Sequence, residues 1–136
     1  MGHLELDTYA VLPQPDVEGK YLIAPQDAFA TEFANQATFL YEAVIDCGYS
    51  SFRGSAYDTV INQITGMSLL QQYIAPELVA QMSHSLEAIP YDDAMWGDIS
   101  VKERYDLTRW FRICRQRGYA LVGRARVISK RNAGCK

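Results

Sequence analysis

The chain has 136 residues, 49% of them hydrophobic and 21% charged, with a formal net charge of −3. This suits one globular domain with its own core, and it excludes a wholly disordered chain. The charge is unevenly spread: residues 1–101 hold only Lys20 and Arg53 against fourteen acids, a net −12, whereas residues 102–136 hold eleven Lys or Arg against two acids, a net +9.

At the start of the chain, Leu4, Leu6, Thr8, Ala10 and Leu12 alternate with Glu5, Asp7, Tyr9 and Val11. Period two with β-forming residues predicts a strand. Pro13, Pro15, Asp16 and Gly19 break it, and Tyr21 to Ile23 read as the returning strand of a loose hairpin before Pro25. The alternative is an arm lying over the core.

Four helices are predicted next, over about residues 27–47, 55–74, 76–89 and 100–117. In the first, Asp27 is placed as the cap, Phe29, Phe33, Ala37, Leu40, Val44 and Cys47 form the inner face, and Gly48 is the stop. In the second, Ser55 and Asp58 resemble a capping box, and Gly66 is read as an interruption or kink. Pro76 suits the first turn of the third, whose stripe is Leu78, Met82, Leu86 and Ile89. Pro90 ends it, and a loop runs to Ile99.

The fourth helix carries the clearest local signal. Ser100-Val101-Lys102-Glu103 is a full capping box, and Gly118 suits a left-handed stop. Tyr119, Leu121, Val122, Val127 and Ile128 then favour a strand. The fold expected from these elements is a single helix-dominated α+β domain, with about four packed helices and a small antiparallel sheet from the N- and C-terminal segments. Its rival is an all-α bundle.

At about 100° per residue, Leu107, Trp110, Phe111 and Cys114 share the inner face of the fourth helix. Arg109, Arg112 and Arg115 fall on the other side, with Lys102 and Arg104 at its edges and Tyr105 among them. Arg124, Arg126, Lys130 and Arg131 extend the charge beyond the helix, as does Arg117. Guanidinium forks suit phosphate oxygens, and Tyr105 or Tyr119 offers a stacking surface for an unpaired base. These ten residues, Lys102 to Arg131 without Arg117, form the candidate binding site. The plain alternative is a solvated helix face neutralised by carboxylates within the fold, with Glu103 and Asp106 as local partners.

Other chemistry is thin. Asp92, Asp93 and Asp98 cluster beside Trp96, but loop structure explains them better than a metal does. His84 lacks a partner at ligand spacing, and no Gly-rich phosphate loop or G-x-S-x-G serine occurs. An enzyme would need a pocket gathering Asp92, Asp93, His84 or Cys47. The odd set Cys47, Cys114 and Cys135, with no C-x-x-C pair, indicates structural thiols in a reducing compartment. Neither a signal peptide nor a spanning segment is visible, so a soluble, cytoplasmic protein is expected.

The expected function is a non-enzymatic binding protein whose basic C-terminal helix and tail engage an anionic partner. Nucleic acid is slightly favoured over an acidic protein surface. No membrane, metal or cofactor is called for, and homo-oligomerisation stays open. The alternatives are a protein-interaction module of inhibitor, immunity or adaptor type using the acidic body, and a small enzyme without a recognisable motif.

Overall fold

The computed structural model describes residues 3–34 and 48–128. The N-terminal strand β1, His3–Val11, lies at the centre of a three-stranded antiparallel sheet. On one side it pairs with β2, Ser51–Arg53, and on the other with β3, Ala120–Ile128. Alternation along β1 turns Leu6, Thr8 and Ala10 to one face. Phe52 lies opposite Thr8 and Leu121 opposite Ala10, and all of these side chains are buried.

The expected N-terminal hairpin shrinks to a single bridge between Val11 and Ile23, supported by Leu12 N–H to Leu22 O at 2.9 Å and Ala24 N–H to Ala10 O at 2.8 Å. Leu22 and Ile23 are exposed, so the returning segment has no apolar face to bury and no reason to extend the pairing. The true partners of β1 come from far along the chain. The loop between is set by Asp16, whose carboxylate accepts the N–H groups of Glu18 and Lys20 at 2.8 and 2.9 Å.

Helix α1, Asp27–Phe33, buries Phe29 and Phe33. It begins at Gln26 without a side-chain cap, so Asp27 occupies the first turn rather than the cap. Ala34 is extended at ψ 142°, which closes the helix well before residue 47. The remaining inner-face positions of the expected helix, Ala37 to Cys47, lie outside the described residues.

Helix α2, Ser55–Thr65, is also shorter than expected. Gly66 is its left-handed stop at φ 78°, not a kink within a longer helix. The Ser55–Asp58 capping box does not form, because the helix caps at Gly54. Asp58 instead accepts Leu69 N–H at 2.6 Å and lies 3.3 Å from Ser68 Oγ. This holds the following segment against the fold, with Leu69 fully buried.

Helix α3, Pro76–Glu87, starts with Pro76 in its first turn as expected. Its buried residues are Val79, Met82, Ser83 and Leu86, while Leu78 is exposed. The inner face is therefore rotated toward α4, against which α3 packs. In the loop that follows, Asp93 accepts Met95 N–H at 2.9 Å, and buried Trp96 donates Nε1–H to Pro90 O at 2.9 Å.

Helix α4, Val101–Arg117, has the complete Ser100–Glu103 capping box and the left-handed Gly118 stop. Leu107, Trp110, Phe111 and Cys114 are fully buried, as the spacing requires. Trp110 organises the centre. Its ring meets Phe52 edge-on at 4.9 Å and lies 5.4 Å from Phe29, and its Nε1–H donates to Tyr49 O at 3.0 Å. Burial holds the Cys114 thiol well above its ordinary pKa, which keeps it neutral and inert. Cys47 and Cys135 lie outside the described residues.

Candidate anion-binding site

Helix α4 brings most of the expected cations to one side of the fold, and each meets a different neighbour. Lys102 pairs with Asp106 at 2.9 Å, one helical turn away. Arg104 donates to three backbone carbonyls, Ile99 at 2.9 Å, Gly97 at 3.1 Å and Tyr91. It clasps the 91–99 loop onto α4, so its fork is committed to the fold rather than presented to a ligand.

Arg109 departs most from the helical-wheel expectation. It is 9% exposed, not on a solvated face. Its Nη2 donates to Asp106 at 3.0 Å and its Nη1 to Glu32 of α1 at 3.4 Å. Its guanidinium carbon lies 4.9 Å from the Phe33 ring centre and 4.5 Å from that of Tyr105. Tyr105 is 47% exposed, and its ring also meets Tyr91 edge-on at 6.0 Å. Tyr119 is buried against Phe29, so it offers no face to a nucleic-acid base.

Arg112 and Arg115 converge on a single acid of α3. Arg112 Nε donates to Glu87 at 2.6 Å, and Arg115 Nη1 donates to the other oxygen at 2.8 Å. Arg115 also reaches buried Ser83 Oγ at 3.0 Å. These hydrogen bonds, from Arg115 and then Arg112, hold the Glu87 carboxyl below its ordinary pKa, and the same contact raises that of Arg112.

Arg117 and Arg124 are exposed, and neither has an ion pair among the described residues. Arg124 sits on β3 opposite Asp7 of β1, whose buried carboxylate already takes Arg53 at 2.7 Å. Arg126 occupies the register position opposite Glu5. Lys130 and Arg131 lie outside the described residues.

Between α1 and α4 lies an open groove of about 360 Å³, lined by Ala28, Thr31, Glu32, Arg109, Arg112, Ile113, Gln116 and Arg117. Three guanidiniums and one amide thus face one lining carboxylate. Glu32, Thr31 and Gln116 were not among the sequence candidates, nor was Glu87. Glu32 lies 77 positions from the arginine it meets, and Glu87 lies 25 and 28 from its two. No local spacing marks such pairings. The groove gathers none of Asp92, Asp93 and His84, and no group of three or more potential metal ligands occurs among the described residues.

The architecture is therefore a helix-dominated α+β domain with a cationic groove at the end of its longest described helix. No described helix is long and apolar enough to cross a membrane. No protein-family model, curated protein or solved structure matches this chain.

Proposed function

We propose that this chain is a non-enzymatic binding protein whose basic C-terminal helix and tail engage an anionic partner, with nucleic acid as the favoured class. One observation carries the reading: positive charge is left over at the end of α4. Among the described residues, ion pairs join Lys102, Arg109, Arg112 and Arg115 to Glu32, Glu87 and Asp106, and Arg112 and Arg115 have Glu87 in common. Arg117, exposed at the end of the same helix, has no ion pair among the described residues, and neither has exposed Arg124 on β3.

A surplus beside low-dielectric protein attracts anions and speeds their encounter. Guanidinium forks match phosphate oxygens and stay charged at every working pH. Nucleic acid is favoured because Arg124, Arg126, Lys130 and Arg131 continue the cationic run past the helix, which suits a polymer that repeats its charge. The −12 body confines that polymer to one end of the molecule by repelling phosphate elsewhere.

Fluorescence anisotropy with labelled single- and double-stranded oligonucleotides at two salt concentrations tests the proposal. Binding at low salt that weakens steeply with added salt is the expected result. Absence of binding at low salt, or binding indifferent to salt, contradicts it.

A second reading, an interaction module that uses the acidic body, has its own support. Asp27, Glu77, Asp92 and Asp98 are exposed and take part in no ion pair among the described residues. Near Glu77, Tyr73 stacks on Tyr21 with ring centres 4.7 Å apart, next to exposed Leu22 in the chain. A basic partner protein fits such a surface. If this reading holds, neutralising these acids abolishes that interaction, whereas an Arg109→Ala, Arg112→Ala variant with its acids unchanged keeps it.

A further inference from the structure

We infer that the nucleic acid taken by this chain is single-stranded, and that one unpaired base stacks on Tyr105, in the second turn of α4. This rests on the reading above and names the class of strand together with the aromatic surface that receives it.

The platform is built before a ligand arrives. Tyr105 is 47% exposed, and because its backbone lies inside a hydrogen-bonded helix, that exposure belongs to the side chain. Its neighbours fix the ring. The guanidinium carbon of Arg109, one turn further on, lies 4.5 Å from the ring centre. Asp106 and Glu32 hold that guanidinium in place at 3.0 and 3.4 Å. Tyr91 meets the ring edge-on at 6.0 Å, and Tyr91 is itself tied to α4, where Arg104 donates to its carbonyl. A ring held this way has little side-chain entropy left to lose when a ligand stacks on it.

The setting selects a base. Of the aromatic residues of α4 and the one that follows its stop, Trp110, Phe111 and Tyr119 are buried, so Tyr105 alone offers a ring to solvent. An apolar protein interface needs a broad patch, yet the only other large hydrophobic residue exposed on α4 is Val101. A lone ring serves one flat ligand group. Every base has a π-face, so stacking of this kind tolerates any base sequence. Arg112, two turns beyond Tyr105, lies on the same side of the helix. Glu87 holds it through Nε alone, and its Nη groups have no partner among the described residues. They are donors within the length of a nucleotide for a phosphate oxygen next to the stacked base.

Strandedness follows from the same contact. Bases within a duplex are covered on both faces by their neighbours, and only unpaired ones can be splayed onto an aromatic side chain. Phosphate contacts alone would not distinguish the two forms in this way.

The test uses fluorescence anisotropy at low salt with three labelled ligands: a single strand, its duplex, and an abasic strand of the same length that keeps the phosphates and lacks the bases. Polyglutamate serves as a competitor. The full chain is compared with Tyr105→Leu, which keeps an apolar cover over Arg109 without a π-face, and with Tyr105→Phe, which keeps the π-face without the hydroxyl. Thermal melts check that the variants are folded. Wild type is expected to bind the base-bearing strand about tenfold more tightly than the abasic one, the scale of a single stacked base. Tyr105→Leu should lose that increment and leave duplex affinity unchanged, whereas Tyr105→Phe should keep it.

Equal binding of base-bearing and abasic strands by wild type overturns this inference and leaves the broader reading standing, and that comparison needs no variant. A Tyr105→Leu loss of the same size for all three ligands also overturns it, because the ring would then act only by shaping the cationic side of α4. Failure of all three to bind at low salt overturns both. Polyglutamate that outcompetes the base-bearing strand overturns the nucleic-acid assignment in favour of an acidic protein.

Discussion

Arg112 reaches Glu87 through Nε alone, at 2.6 Å, and its terminal amino groups stay uncommitted among the described residues. An ion pair is usually counted as charge consumed. Here the pair orients a guanidinium and leaves its outer fork facing the groove. The same carboxylate also fixes Arg115, so Glu87 shapes the site without neutralising both arginines.

Glu87→Gln should therefore separate holding from neutralising. It removes a partly exposed ionic contact, with an expected stability cost of about 0.5–1 kcal/mol after solvent screening. It should also tighten binding of an anionic oligonucleotide, because a competing carboxylate is gone. Affinity measurements on the variant check this, and weaker binding would mean that Glu87 acts only by positioning Arg112.

The Glu87 carboxyl has a folded pKa below its ordinary value of 4.5. Its stabilising contribution is therefore complete above that ordinary value and is lost as pH falls through the lower folded value. Wild type should lose this increment between neutral pH and strongly acidic solution, and Glu87→Gln should lose correspondingly less. Urea midpoints at pH 7 and on the acid side measure the difference, and identical losses would contradict the role assigned to this pair.

Trp110→Ala should be the most damaging single truncation in the described core. Trp110 is fully buried, touches Phe29 and Phe52, and donates to Tyr49 O. Loss of a side chain of this size costs about 3–5 kcal/mol. Chemical denaturation reads the loss directly.

Gly123→Ala tests the close approach of β3 to the segment after α2. A Cβ at this position would lie 1.7 Å from Leu69 O. The strand and the 69–74 segment must then separate, breaking the Gly123 N–H to Gln71 O bond of 2.8 Å. The expected cost is about 1–3 kcal/mol, the usual scale of overpacking, with faster amide exchange at Ile74 and Leu121. Unchanged stability would show that this contact is slack.

Ser100→Ala removes one half of the α4 capping box and should cost about 1 kcal/mol. The effect is checked by thermal melting. Its value to the functional account is as a control, since α4 frays at its far end from the groove and oligonucleotide affinity should stay close to wild type.

Where chemistry is local, the sequence reads well. Ser100 and Glu103 announce the start of α4, Gly118 announces its end, and the four- and three-residue steps from Leu107 to Cys114 identify the buried face. Where an element depends on distant partners, the reading fails. Ser51–Arg53 is too short to show a period, and it becomes a strand only because β1 offers an edge. Asp58 looks like a capping residue, yet Leu69 N–H recruits it from eleven positions away. Helical spacing puts Arg109 beside other arginines, but Phe33 and Glu32 of α1 cover it. The groove escaped the sequence for the same reason: three of its eight lining residues come from α1, whose contact with α4 no spacing encodes.

The most direct measurement of the central claim, that α4 keeps unspent positive charge for nucleic acid, is the salt dependence of single-strand binding in wild type and an Arg112→Gln, Arg117→Gln double variant. For single strands the logarithm of affinity falls against the logarithm of salt by about 0.7 for each phosphate neutralised. The account predicts a clear negative slope for wild type and a slope shallower by about 1.4 when two phosphate-contacting arginines are lost. Equal slopes in the two proteins, or no binding by wild type at low salt, would contradict it.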